Sequence, residues 1–396
     1  TGADNVAVGH DALTANTTGD YNTAVGANAL DANTTADGNT ALGYVALSAN
    51  TTGSGNVAVG KDALDSNTTA DDNTAVGIDA LQATTTGAYN TSVGARSMQD
   101  NTTGRNNAAF GQDALRTNTT GSLNTAIGNR ALYVATTAHD NTAVGHASLT
   151  ANTTGSNNVG VGGSALTANT TGQYNTAVGM WALEDNTTAS YNTAVGYFSL
   201  GNNTGANNTA VGYVALGYNT TGARNTAVGD QALEDNTTGV DNTAMGFQAL
   251  EHNNGNYNSA FGKFALESNT TASENSAFGY AALYNNTTGQ DGVALGMGAL
   301  EANTTGNYNI AVGNYALDGA TTAHDNLAIG FHALGASVTG TMNVGIGNSA
   351  LTANTTGYDN VAVGFKALTA NTTGIRNSAV GSLALGLNTI GQYNTA

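Results

Sequence analysis

Side chains able to transfer protons or bind metals are few and are spread along this chain. Cysteine is absent, and the six histidines are His10, His139, His146, His252, His324 and His332. Two pairs of them lie seven or eight residues apart, without an accompanying Cys or carboxylate pattern. A zinc site needs three or four convergent ligands. We therefore expect surface histidines, no catalytic residues and no enzymatic activity.

Three glutamates form the only cation candidate that the sequence offers. Glu234, Glu251 and Glu267 occupy equivalent positions in three consecutive repeats of the unit described below. If the repeats stack, these carboxylates lie about 5 Å apart, so that they either splay into water or share a cation such as calcium. The Gly-Gly-x-Gly-x-Asp phrase of calcium-binding β-rolls is absent. Of the two alternatives, splaying into water is therefore favoured over a shared cation, and no cofactor is expected.

Composition excludes several classes of partner. Charged residues make up 9% of the chain, and the net charge is −18. The nine Lys and Arg are scattered, whereas nucleic-acid binding needs clustered basic residues that neutralise phosphates. No apolar run approaches the roughly 18 residues of a membrane span. We expect neither a nucleic-acid partner nor a membrane span in this segment.

The elements that must position any site come from one repeated phrase. Asn-Thr-Ala-Val-Gly, first complete at Asn22–Gly26, is followed by two variable residues, Ala-Leu, two further variable residues and Asn-Thr-Thr-Gly. The unit is 17 residues long, and Thr1, Thr18 and Thr35 each begin one. We number the positions of each unit from one to seventeen and call each set of equivalent positions a column. A fixed short period indicates a repeat architecture.

Each unit favours strands over helix. Gly, Asn and Thr are poor helix formers, and seventeen residues are too few for a helix pair. Thr23, Ala24 and Val25 alternate as a strand requires. Gly in column nine predicts a turn or close backbone approach, and Asn-Thr-Thr-Gly predicts a second corner. We therefore predict an all-β parallel β-solenoid of about 23 coils, each with a strand, a corner, a short strand around Ala-Leu and a second corner. Residues 1–396 would form one continuous array, on the order of 110 Å long and part of a longer fibre protein.

The columns predict which side chains face inward. Column eight is always apolar and column thirteen is Leu except for Met98, so these columns are the predicted core. Its first members are Val8, Val25, Leu13 and Leu30. Column five is Asn in nearly every unit, beginning with Asn5, Asn22, Asn39 and Asn56. Asn side chains stacked at this spacing form hydrogen-bonded ladders along the axis.

Column seven contains only Ala, Gly or Ser. Its members include Ala7, Ala24, Ala177 and Ala194. Such a column indicates the close approach of a second surface. It predicts either lateral association between chains, with these alanines in the inter-chain face, or a very narrow coil interior. Lateral association is the preferred interpretation.

Two outward sets of residues suggest binding. Aromatic side chains in columns four and ten to eleven, among them Tyr174, Trp181, Tyr191 and Tyr197, suit a carbohydrate or protein receptor, such as a host surface, and equally suit inter-chain packing. Thr in columns seventeen and one forms two adjacent rows. A regular Thr array can match an ice lattice, so ice binding is an alternative hypothesis.

The phrase Asn-Thr-Ala-Val-Gly-x-x-Ala-Leu, as at Asn22–Leu30, resembles the head repeats of trimeric autotransporter adhesins. It is even more similar to repeat arrays of bacterial and phage tail-fibre-like proteins. A weaker likeness, over Gly19–Val25, is to curli-type amyloid subunits. The first resemblance implies a parallel β-roll with three chains side by side, at the cell surface or outside the cell.

Together these patterns predict a non-enzymatic structural or adhesive fibre shaft. Its main partner would be itself, as a homotrimer or homopolymer, and its location extracellular, at a cell surface or in a phage tail fibre. The rival assembly is an amyloid-like filament of subunits stacked end to end, which unpaired strand edges favour.

Overall fold

Twenty-three short strands, one in each coil, form the secondary structure of this computed structural model, which describes residues 2–396. The chain divides into two compact units, Thr1–Phe198 and Ser199–Ala396. The strands of the first unit are β1 (Val6–Val8), β2 (Thr23–Val25), β3 (Thr40–Leu42), β4 (Val57–Val59), β5 (Thr74–Val76), β6 (Thr91–Val93), β7 (Ala108–Phe110), β8 (Thr125–Ile127), β9 (Thr142–Val144), β10 (Val159–Val161), β11 (Thr176–Val178) and β12 (Thr193–Val195).

The second unit repeats the same element. Its strands are β13 (Thr209–Val211), β14 (Thr226–Val228), β15 (Thr243–Met245), β16 (Ser259–Phe261), β17 (Ser276–Phe278), β18 (Val293–Leu295), β19 (Ile310–Val312), β20 (Leu327–Ile329), β21 (Val344–Ile346), β22 (Val361–Val363) and β23 (Ser378–Val380). The residues that the structure describes contain no helix. The predicted parallel β-solenoid of about 17 residues per coil is confirmed.

Within each unit, consecutive strands pair in parallel and in register. In β2 and β3, for example, Thr23 lies opposite Thr40 and Ala24 opposite Ala41. The corners also pair between coils, as when the Leu30 N–H donates to the Ala46 carbonyl at 3.0 Å. Hydrogen bonds therefore join neighbouring coils at the corners as well as in the strands.

The strand faces are the reverse of those predicted for columns seven and eight. Val8 is 58% exposed, and Val25 is only half-buried, so neither forms the core. Ala24, Ala177 and Ala194 are fully buried, which places column seven inside the coil. Ala7, in the first coil, is exposed within the chain. The predicted inter-chain face of column-seven alanines is therefore wrong, and the narrow interior that we considered as its alternative is correct.

Packing against column thirteen explains why column seven is small. A Cβ added to Gly160 would approach Leu149 Cδ1 to 3.4 Å, and one added to Gly345 would approach Leu334 Cδ1 to 3.3 Å. The Leu side chains thus fill the space next to the strand. Leu30 is fully buried, as predicted, and Leu13 in the first coil is half-buried. The core consists of the Ala of columns seven and twelve, the Leu of column thirteen, and the Asn rows.

The predicted second strand around Ala-Leu is absent from residues 2–396, because this segment is a compact turn. Its column-thirteen residue has a left-handed backbone in every coil, with φ between 49° and 57°. For a Leu this conformation costs about 1 kcal/mol or more. Column nine needs Gly because a Cβ on Gly26 would collide with the Gly43 carbonyl of the next coil.

The interior position of column seven gives a first prediction. Replacing Ala177 with Leu should destabilise the protein by about 1–3 kcal/mol or more, because the added carbons have no space beside the column-thirteen Leu. Replacing the adjacent outward Val178 with Leu should change stability little, since Val178 is 36% exposed. Denaturant unfolding followed by circular dichroism measures both. Equal effects of the two substitutions would contradict this orientation of the strand.

Candidate functional site

Two rows of buried Asn, in columns five and sixteen, occupy the second corner. In a coil, the side-chain amides of both rows donate to the same backbone carbonyl of that corner. Asn22 Nδ2 and Asn33 Nδ2 donate to the Ala36 carbonyl at 2.8 and 3.1 Å. The Asn33 Nδ2 also donates to Asn16 Oδ1 of the neighbouring coil at 3.1 Å. Columns five and sixteen therefore hold the Asn-Thr-Thr-Gly corner and join one coil to the next.

The predicted column-five ladder is confirmed. The Asn22 N–H donates to Asn5 Oδ1 at 2.8 Å, and the Asn39 N–H donates to Asn22 Oδ1 at 3.0 Å. Asn56 donates to Asn39 Oδ1 through both its backbone N–H and its Nδ2, at 2.9 and 3.2 Å. These buried amides have partners within the solenoid, so the ladder serves structure rather than ligand binding.

The outward face of each unit's strands carries columns six and eight. Many column-eight side chains are between 36% and 64% exposed: Val8, Leu42, Phe110, Ile127, Val178, Val195, Val211, Met245, Phe278, Leu295, Ile329 and Val380. None of the strand residues that the structure describes is charged. We call this surface the strand face. Sequence reasoning missed it because it assigned column eight to the core.

The Thr row of column seventeen takes part in coil stacking. The hydroxyls of Thr17, Thr34 and Thr51 each donate to the carbonyl of the equivalent Thr in the next coil, at 2.8, 3.1 and 3.0 Å. These hydroxyl hydrogens are therefore directed along the axis rather than toward water. Column-one Thr side chains such as Thr35 and Thr52 are exposed. Ice binding stays a prediction. Of the two Thr rows that it would use, the column-seventeen row already donates its hydroxyl hydrogens within the chain.

The four aromatic residues singled out from the sequence lie in pairs within the first unit. Tyr174 and Tyr191 stack with ring centroids 5.2 Å apart and planes 5° apart. Trp181 and Tyr197 are also 5.2 Å apart, in an edge-to-face arrangement at 67°. Tyr174, Tyr191 and Tyr197 are exposed, as expected, whereas Trp181 is half-buried. The stacked pair covers one face of each ring, leaving edges and outer faces for contact.

The glutamate row is joined by a histidine that sequence reasoning left aside. Ligand atoms of Glu251, His252 and Glu267 all lie within 4.8 Å of one another. The His252 Nδ1 is 2.8 Å from Asp235 Oδ2. Glu234 is hydrogen-bonded instead, accepting from Gln231 Nε2 at 2.7 Å. The geometry thus gathers two of the three predicted glutamates and one imidazole, a donor set that suits a divalent cation.

Two glutamates of this row have a raised pKa, and burial is the largest cause in both. Burial raises the pKa of Glu251, and the Glu267 and Glu234 carboxylates raise it further, whereas His252 lowers it. Burial also raises the pKa of Glu234. Burial of the His252 ring opposes protonation, but the surrounding carboxylates, led by Asp235, raise the pKa of His252 above its ordinary value. At neutral pH the ionised Glu251 is therefore less favourable in the folded chain than in the unfolded one.

The chain matches no protein-family model, and no curated protein is significantly similar to it. Among residues 2–396, no helix is long and apolar enough to cross a membrane.

The ladder generates a prediction about Asn360, a buried member of column five. Its Nδ2 donates to Asn343 Oδ1 and to the Gly374 carbonyl at 3.1 and 2.8 Å. Asn360→Asp replaces this donor with a buried carboxylate and should cost about 3–5 kcal/mol in unfolding free energy. The exposed Asn348→Asp is the matched control and should be nearly neutral. Chemical denaturation measures both, and a tolerated Asn360→Asp would show that the ladder is dispensable.

The glutamate row generates a prediction about pH. Because the pKa of Glu251 is raised on folding, its ionisation lowers stability as pH rises through that raised pKa. In EDTA, Glu251→Gln should be more stable than the parent at pH 7, and the difference should vanish near pH 4. Thermal unfolding at the two pH values measures this effect. Adding calcium then tests the shared-cation hypothesis, since a bound ion would stabilise the parent more than the variant.

Proposed function

We propose that the chain is a non-enzymatic structural or adhesive fibre shaft, located outside the cell or at a cell surface, which assembles side by side with copies of itself. The single observation that carries this proposal is the strand face. Exposed apolar side chains recur on this face from one coil to the next. None of the residues in the described strands is charged. Exposed apolar surface of this extent marks an interaction site.

Charge favours a second copy of the chain as the occupant of the strand face. The chain carries a net charge of −18, so two copies repel each other wherever acidic residues meet. Along the strand face this repulsion is smallest, because the carboxylates lie in other columns. Identical coil spacing also lets the column-eight side chains of one copy interdigitate with those of another over many coils.

The rigidity that a shaft requires comes from the interior. Within each unit, the strand pairing, the corner hydrogen bonds and the two Asn rows join one coil to the next. Load along the axis is thus shared among many hydrogen bonds. The resemblance of Asn22–Leu30 to adhesin head repeats supports the same proposal and favours a trimer.

Introducing like charges on the strand face tests the proposal. The double variant Val178→Lys/Val195→Lys should shift the protein from an oligomer to a smaller species, because lysines would be buried against the partner. The control Thr171→Lys/Thr188→Lys adds the same charges to exposed positions of the second corner in adjoining coils and should leave the oligomer intact. Sedimentation velocity measures the mass.

Three outcomes would count against this assembly. A parent chain that is monomeric at high micromolar concentration would overturn self-association. Equal dissociation of both double variants would place the interface elsewhere. Filaments that persist in the Val178→Lys/Val195→Lys variant would favour end-to-end stacking over lateral contact.

A further inference from the structure

A cleft on the second unit is built from aromatic rings and one carboxylate. It is an open depression of about 240 Å³, lined by Phe264, Tyr280, Ala281, Tyr284 and Glu301. These residues come from the coils of β16, β17 and β18, at columns ten, eleven and fourteen. These residues lie outside the columns that form the strand face.

The cleft exists because column eleven is small in two successive coils. Ala281 and Gly298 lie between the bulky Phe264 of one neighbouring coil and Tyr315 of the other. A Cβ on Gly298 would approach Tyr315 Cδ1 to 2.9 Å and Glu301 Oε2 to 3.0 Å. The ring and the carboxylate thus overhang the step that the small residues create, and buried Ala281 forms its floor.

The aromatic walls stand at steep angles to one another. The Phe264 ring centroid lies 6.0 Å from those of both Tyr280 and Tyr284, with interplanar angles of 68° and 71°. Tyr280 is 53% exposed, and Tyr284 is half-buried. Edge-to-face rings around a cavity present both ring faces and ring edges to whatever enters. Ring faces attract cations because of their negative quadrupole.

Carboxylates make the neighbourhood of the cleft electronegative. No salt bridge or side-chain hydrogen bond joins the Glu301 carboxylate to another residue among 2–396. The Glu267 carboxylate, followed by burial and smaller contributions from neighbours including Glu251 and Glu301, raises the pKa of the Tyr284 hydroxyl. The Glu301 carboxylate that lines the cleft is therefore available to a cation.

One ring of the cleft, that of Phe264, already contacts an organic cation of the chain. Lys263 Nζ lies 4.6 Å from the Phe264 centroid and 5.1 Å from that of Phe247. Phe247 belongs to the preceding coil, whereas the cleft is formed with the two following coils. Lys263 thus contacts Phe264 together with a ring that does not line the cleft.

We propose that this cleft binds an organic ammonium group, with the rings of Phe264, Tyr280 and Tyr284 around the cation and the Glu301 carboxylate as its counter-ion. Cation recognition by aromatic cages with a nearby carboxylate uses this combination of groups. The volume suits a trimethylammonium head or the end of a lysine side chain. The two sources, a small quaternary amine and a lysine-bearing protein, share this chemistry.

Titration with three probes tests the ligand class. Choline and Nα-acetyl-lysine methylamide represent the two sources, and 3,3-dimethyl-1-butanol is the uncharged isostere of choline. We expect at least one cation to shift the NMR resonances of the cleft rings and to bind about tenfold more tightly than the alcohol. Binding of choline alone assigns the site to quaternary amines, and binding of the lysine derivative assigns it to protein partners. Equal binding of alcohol and choline, or no binding of either cation, overturns the proposal.

Variants of the intact chain separate charge from shape. Glu301→Gln keeps the shape and should weaken binding of the cation about threefold to tenfold, without changing that of the alcohol. Tyr280→Ala should weaken it similarly. Tyr44→Ala removes an equally exposed column-ten Tyr in the other unit and should have no effect. An unchanged affinity in Glu301→Gln would contradict the role of the carboxylate. Circular dichroism of each variant verifies that the solenoid remains folded.

Discussion

Hydrogen bonding from one coil to the next is the interaction on which this molecule depends. A single coil has one three-residue strand and buries few side chains, so it cannot offset the entropy of ordering seventeen residues. Stacking changes this balance, because the strand and corner backbones and many Asn side chains form hydrogen bonds with the neighbouring coils. The buried amides of columns five and sixteen also hold the second corner, as Asn22 and Asn33 do at Ala36. Asn therefore both fixes the conformation of the corner and hydrogen-bonds one coil to the next.

The narrow interior has a consequence for the surface. With Leu filling the space beside the strand, column seven must be small, and the branched and aromatic residues of column eight lie outside. The protein thus presents apolar side chains on an uncharged strand face while burying Ala and Asn. This distribution is unfavourable for an isolated chain in water and favourable for one that packs against copies of itself. The exposed apolar surface thus supports the proposed fibre role, as does the resemblance of the repeat phrase.

Columns whose side chains do not fill the interior vary in residue type, and local sites arise there. Columns ten, eleven and fourteen hold residues from Gly to Trp without disturbing the ladder. The glutamate cluster with His252 and the aromatic cleft at Ala281 both come from such variation over two or three coils. A regular scaffold of this kind separates the requirements of stability from those of recognition.

The sequence by itself determined the period, the parallel β-solenoid, the Asn ladder, the Leu of the core and the need for Gly where coils meet. Each of these rests on a residue type that few environments accept, repeated at fixed spacing. Only the tertiary structure decided which face of the strand lies inside. Thr23, Ala24 and Val25 alternate identically in either orientation, and the choice depends on how much space Leu30 leaves in the coil. The left-handed Leu turn was equally hidden, since backbone preference alone disfavours it and burial with inter-coil hydrogen bonds stabilises it. The cleft depends on side chains from three coils, whose juxtaposition follows from register and from the step that Ala281 and Gly298 create.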